Sequence, residues 1–148
     1  MTLKEKINND LKDAMKSQDK VKLNTIRSIR ALILEFEKSG SNKELTSEDE
    51  IKMLSSAAKK RKESIEQYEK GGRQDLADQE KLELEIIQSY LPKQLNEEEI
   101  LNKVKQFAEE IGAESKTDFP KLMPVAVKNL KGQADGNTIR KIVEKVLG

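Results

Sequence analysis

The stretch Asn129-Leu130-Lys131-Gly132-Gln133-Ala134-Asp135-Gly136-Asn137-Thr138-Ile139-Arg140-Lys141 gathers glycines, a cap residue and cations in one place. Gly132 and Gly136 bracket Asp135, a residue type that caps helices, so the loop can offer nearly bare backbone to a bulky ligand. Lys128, Lys131, Arg140 and Lys141 supply positive charge beside it, and cations around an uncluttered loop suit a phosphate-rich partner. The candidate residues of such a phosphate-facing surface are Lys128, Lys131, Gly132, Gln133, Ala134, Asp135, Gly136, Arg140 and Lys141. The same residues also read as plain punctuation, a helix C-cap at Gly132 followed by an N-cap at Asp135.

A second basic patch comprises Lys59, Lys60, Arg61 and Lys62, with Arg73 further along. Consecutive helical residues spread around a full turn instead of lining one face, so a solvated surface paired with Glu63 and Glu66 competes with phosphate binding there. Arg27 lies beside an apolar stripe and is expected to snorkel or to pair with a carboxylate inside a bundle. Glu80, Glu83 and Glu85 form a carboxylate group, but helical di-iron sites usually need a histidine three residues after a glutamate, and the chain has no histidine. Ser55 and Ser56 with Lys59 have the residue types of amidase chemistry, yet such nucleophiles sit on strained loops beside backbone donors, so these are read as ordinary helix residues. With neither histidine nor cysteine, the chain lacks imidazole bases, thiolate nucleophiles, disulfides and the nitrogen or sulfur ligands of ordinary zinc sites. No catalytic residue, metal or cofactor is expected.

The net charge of +1 gives no global pull toward nucleic acid, so any such binding must rest on local segregation of charge. Residues 121–148 carry six cations against two anions, Asp135 and Glu144, whereas residues 95–120 carry three cations against seven anions. Residues 1–30 hold a further basic excess, with eight cations against four anions. The longest uninterrupted apolar run, residues 31–34, is four residues, far short of the ~20 that a membrane helix requires. No signal-peptide core follows Met1, and the absence of cysteine fits a reducing compartment. A cytoplasmic protein without membrane association is expected.

These residues must be positioned by helices, because apolar residues recur at helical spacing almost throughout and no stretch alternates with period two. Leu3, Ile7, Leu11 and Met15 stripe a first helix, and Leu23, Ile26, Ile29, Ile33 and Phe36 a second that ends at Ser39-Gly40, with Gly40 as C-cap. After a polar loop over 41–45, Thr46 or Ser47 caps a third helix, with Glu50 reaching back from Ser47 in a capping box. Ile51, Leu54, Ala58, Ile65 and Tyr68 line its inner face, and Gly71-Gly72 stops it. A fourth helix over about 73–91 bears Leu76, Leu84, Ile87 and Tyr90. Asn96 caps a fifth, with Ile100, Val104, Phe107 and Ile111 inward and Gly112 at its end. Thr117 or Asp118 caps a sixth, in which Pro124 should produce a kink or a fresh start. The last helix runs over about 135–147, with Ile139, Ile142, Val143 and Val146 inward. The fold class is all-α: an N-terminal bundle of long helices, residues 1–92, followed by a small three-helix C-terminal domain, residues 93–148, with Pro92 at the boundary.

Leu91-Pro92-Lys93-Gln94-Leu95 and Leu130-Lys131-Gly132-Gln133-Ala134-Asp135-Gly136, together with Glu66-Gln67-Tyr68-Glu69-Lys70 leading into Gly72-Arg73-Gln74-Asp75-Leu76, resemble the YqeY proteins of the GatB/YqeY family. The resemblance runs essentially end to end and departs at Pro120 and Pro124, where the family commonly has glycine. It implies an all-helical fold. It also implies likeness to the C-terminal module of the B subunit of the glutamine-dependent amidotransferase that amidates misacylated tRNA, a module that engages the outer elbow of tRNA. These 148 residues contain neither the phosphate-cradle domain nor the amidase sequence of that enzyme, so the expectation is binding of tRNA or another structured RNA without autonomous catalysis. The alternatives are an accessory part of a carbon-nitrogen ligase that uses glutamine as amido-N-donor, and a helical protein-binding adaptor; a protein partner in translation or in an amidotransferase complex is compatible with the resemblance, and no DNA partner is expected. Limited proteolysis of the native chain should cut first within 41–45 or around Lys93, and cleavage inside the helices with both sites resistant would defeat the two-part organisation.

Overall fold

The computed structural model describes residues 1–39 and 44–148. Among them the regular structure is seven α-helices and one 3₁₀ turn, with no strand. In chain order these are α1 Leu3–Ser17, α2 Lys20–Lys38, α3 Ser47–Lys70, α4 Gln74–Gln88, α5 Glu97–Ile111, the 3₁₀ turn Lys116–Asp118, α6 Phe119–Asn129 and α7 Gly136–Val146. The chain divides into two compact units, Met1–Leu91 and Pro92–Gly148. The expected C-cap Gly40 and most of the 41–45 loop lie outside the described residues.

In the first unit, α1 packs on α2, α2 on α4, and α3 most extensively on α4. Their shared core holds Leu3, Ile7 and Ala14 from α1, Ile26, Ile29 and Ile33 from α2, Leu54, Ala57 and Ala58 from α3, and Ile87 from α4. Met15, expected inside, is 56% exposed, and Ala14 takes its place. The turn of 3.6 residues explains this: after Leu11, a step of three brings the chain back to the buried face. Thr46, not Ser47, caps α3, in a reciprocal box with Asp49. Glu50 is thereby released, and its carboxylate accepts from the Leu3 N–H at 3.2 Å, satisfying a donor at the start of α1. Arg27 is exposed instead of paired inside the unit. Helix α4 stops at Gln88, short of the expected 91, because the Tyr90 and Leu91 N–H groups close onto Ile87 and Gln88 three residues back, while Pro92 disfavours helix at Leu91.

Arg61 is the main departure from an all-solvated basic patch. It projects from α3 toward α4, where its Nε lies 3.4 Å from Glu80 and 3.3 Å from Glu83, all three side chains largely shielded. Burial, then the neighbouring Glu83 charge, pushes the Glu80 carboxyl above its ordinary value of 4.5, and the Arg61 guanidinium only partly opposes this. A raised folded-state pKa means that the contribution of Glu80 is fully present below the unfolded value and is lost as pH rises through the folded one. At the far end of α4 the Tyr90 hydroxyl donates to Asp10 of α1, and burial is the first cause that raises the phenol pKa.

In the second unit, α5, α6 and α7 bury Ile100, Val104, Ala108, Leu122, Ala126, Ile139, Ile142 and Val143 in one cluster. Asn96 and Glu99 form the capping box of α5, and Gly112 ends that helix with φ 71°. Ala108 is buried where Ile111 was expected; Ile111 is 40% exposed. Pro124 sits inside α6 without ending it. The acceptor that Pro124 cannot reach is the carbonyl of Pro120, four residues earlier in the exposed first turn, where water can satisfy it. Asp118 begins α6 without a side-chain cap bond to it. Its carboxylate accepts instead from the Glu114 and Ser115 N–H groups at 2.9 and 3.2 Å, which holds its pKa below the usual range.

Arg61→Ala should lower stability by roughly 1–3 kcal/mol at pH 7, because two shielded carboxylates are left facing each other. The deficit should shrink as pH falls and Glu80 takes up a proton. Thermal melts of parent and variant across that range check it, and equal melting temperatures at pH 7 would count against the network.

Candidate functional site

The 132–136 loop is built by the end of one helix, a glycine and the start of the next. Leu130, the α6 C-cap, is 1% exposed, so the chain re-enters the core before turning. Its carbonyl accepts from the Gln133 and Ala134 N–H groups at 2.9 and 3.3 Å. Gly132 makes the turn with φ 80°, a left-handed conformation that other residues adopt only at a cost. Asp135 then caps α7, accepting from the Thr138 N–H at 2.8 Å and from its hydroxyl at 3.1 Å.

The outward carbonyls of this loop are held by the Pro92–Leu95 segment. The Leu95 N–H donates to the Gln133 carbonyl at 2.9 Å, and the Gln94 side-chain amide donates to the Gly132 carbonyl at 2.5 Å. The two most distinctive motifs of the chain, separated by 38 residues at this bond, therefore form one structure. Sequence reasoning assigns Gln94 no role, because nothing local to it announces a partner so distant.

Gly136 opens α7, and a Cβ placed there would meet no atom within 4 Å. Its φ is not in the left-handed range. Thus Gly132 is the conformationally demanding glycine and Gly136 the accessible one. Lys128 and Lys131 at the end of α6, and Arg140 and Lys141 on α7, are all exposed. Glu144 lies four residues after Arg140 and three after Lys141, so helical geometry sets one anion between these cations. Gln133 and Ala134 are half-buried.

The second basic patch is less open. Lys59, Lys60 and Lys62 are exposed on α3, whereas Arg61 is engaged with Glu80 and Glu83. Arg73 approaches Asp75 through two nitrogens at 3.3 Å each, which raises the guanidinium pKa and lowers that of the carboxyl. Glu66, expected to serve this patch, pairs with Lys70 at 3.1 Å. Among the described residues no group of three acidic side chains is placed to hold a metal ion, and no helix is long and apolar enough to cross a membrane.

These features define a class: an all-helical protein whose second unit presents a braced, glycine-containing loop among exposed cations. The family model described as "Yqey-like protein" matches residues 4–147, and the chain belongs to that family. Its relatives include altered inheritance of mitochondria protein 41, mitochondrial, of Pyrenophora tritici-repentis, 32% identical over 144 residues, covering 94% of this chain and 77% of that protein. The protein of the same name from Vanderwaltozyma polyspora is 32% identical over 141 residues, 89% of this chain and 69% of the relative. That of Eremothecium gossypii is 39% identical over 82 residues, 55% of this chain and 45% of the relative. These names overturn the expectation of a plainly cytoplasmic protein. The features behind that expectation, no cysteine and no long apolar run, describe an organelle interior equally well.

Gln94→Ala should cost about 1 kcal/mol through the missing bond to the loop, and Gly132→Ala about 1–2 kcal/mol through its positive φ. Gly136→Ala should be close to neutral. Urea unfolding of the full chain ranks the three, and equal costs at Gly132 and Gly136 would contradict the distinct roles of the two glycines.

Proposed function

We propose that the second unit is a recognition module for tRNA or another structured RNA, without a catalytic centre of its own. The observation that carries this reading is the accessible backbone at Gly136 flanked by exposed Lys128, Lys131, Arg140 and Lys141. Structured RNA is read through its phosphates, 2′-hydroxyls and shape, and a loop of low bulk permits such an approach. The charge must come from the side chains, because Asp135 already sets a carboxylate against the positive end of α7. Asp135, Gly132 and Gln133 serve the loop's own geometry, and Gly136 is the backbone that meets RNA.

Replacing Lys131, Arg140 and Lys141 together by Ala should weaken tRNA binding and reduce the salt slope by roughly 0.7–0.9 for each phosphate no longer neutralised. Gly136→Val should weaken binding with little change in melting temperature, since the added side chain enters open space. Filter binding at several salt concentrations beside thermal melts tests both. Parental affinity in both folded variants would defeat the reading. An amidation assay with a tRNA-dependent amidotransferase, with and without this chain, distinguishes the accessory-ligase alternative.

A further inference from the structure

A cavity of the second unit lies where the 3₁₀ turn and the start of α6 meet the last turns of α7. It is lined by Lys116, Phe119, Lys141, Glu144, Lys145, Leu147 and Gly148. Lys116, Lys141 and Lys145 are exposed, whereas Leu147 is 5% exposed and belongs to the core. Phe119 is half-buried: it packs against the core cluster and also reaches the cavity. In a chain with three phenylalanines, two tyrosines and no tryptophan, an aromatic side chain rimmed by three lysines is an unusual placement. Lys141 and Lys145 are four residues apart, so they share one face of α7, with Glu144 beside them.

An apolar ligand would not need three ammonium groups, and a bare anion would not need an aromatic wall. A nucleotide needs both, since its base has a stacking face and its phosphates seek cations. We propose that this cavity holds one unpaired nucleotide of a bound RNA, its base against Phe119 and its phosphates near Lys116, Lys141 and Lys145. The inference rests on the RNA-binding reading and extends it. Lys141 belongs to both surfaces, so α7 links the 132–136 loop to the cavity, with Glu144 the one anion of that helix beside it. Lys116 and Phe119 do not stand out in the sequence, because they lie in the acidic stretch 95–120, and Lys145 figures only as one of the six cations of residues 121–148.

The test uses the full chain with three probes: a labelled single-stranded eight-nucleotide oligoadenylate, a blunt duplex RNA of the same length, and adenosine monophosphate. Base–aromatic stacking predicts that Phe119→Leu, which keeps apolar bulk toward the core, weakens single-strand binding by about fivefold or more and leaves duplex binding unchanged. The exposed pair Lys116→Ala with Lys145→Ala should lower the single-strand salt slope by roughly 0.7 for each phosphate no longer neutralised. If Phe119→Leu also lowers the melting temperature, ring-current shifts of the Phe119 protons in the parent on adding oligoadenylate replace it as the readout. Unchanged affinity in folded Phe119→Leu, an unchanged slope in the lysine pair, or no shift at the Phe119 ring would overturn the proposal. Adenosine monophosphate binding as tightly as the oligonucleotide would overturn the assignment to RNA. Parental protein that binds oligoadenylate but not tRNA would defeat the module reading and leave the cavity standing.

Discussion

The second unit depends on a single brace: the Gln94 amide and the Leu95 N–H take the carbonyls of Gly132 and Gln133. Only six residues connect the last residue of α6 to the first of α7, and the chain must both re-enter the core at Leu130 and reverse. A left-handed glycine makes the reversal, and it directs carbonyl groups away from the partners that a helix would provide. The extended segment after Pro92 meets that need. It fixes where α7 begins, and therefore where Arg140, Lys141 and Lys145 stand relative to Lys128 and Lys131. The positions of all the basic side chains at issue follow from two backbone carbonyls being satisfied from far away in sequence.

Much of the architecture was legible because helices announce themselves locally. The cap at Asn96, the C-cap at Gly112 and the N-cap at Asp135 depend on residues within four positions of one another. The stripes failed at the ends of α1 and α5, at Met15 and Ile111. Ala14 and Ala108 lie deeper than Met15 and Ile111 because the rotation of the helix, and not side-chain size, decides which residue meets the neighbour. Glu50 illustrates a different failure: the sequence pairs it with Ser47 in a capping box, whereas Thr46 closes the box with Asp49 and Glu50 is drawn to the start of α1. Arg61 was read with its neighbours in sequence, but its partners are on α4, so only packing could reveal them. Of the candidate surface, the loop and its flanking cations were visible in the sequence. The brace from Gln94 and the cavity at Phe119 were not, since both join segments far apart in the chain.

Net charge is a poor guide to this protein. A total of +1 conceals an uneven arrangement in which α5 begins with three glutamates, while residues 1–30 and 121–148 each carry more cations than anions. Those glutamates stabilise the positive end of α5, so their placement has a helix-electrostatic reason independent of any partner. Arg140 and Lys141 stand in the middle of α7, beyond the first turn in which the helix dipole acts, so helix electrostatics gives no reason for their charge.

The open space at Gly136 has a practical corollary. The chain contains no cysteine, and a side chain added at this position meets no neighbour within 4 Å. A thiol introduced there would be the only one in these 148 residues and would project from a rigid helix start instead of a wandering loop. A spin label, fluorophore or photocrosslinker attached through it would carry little ambiguity about its own origin. The residue that leaves the backbone bare for a ligand is also the best vantage point from which to watch one arrive.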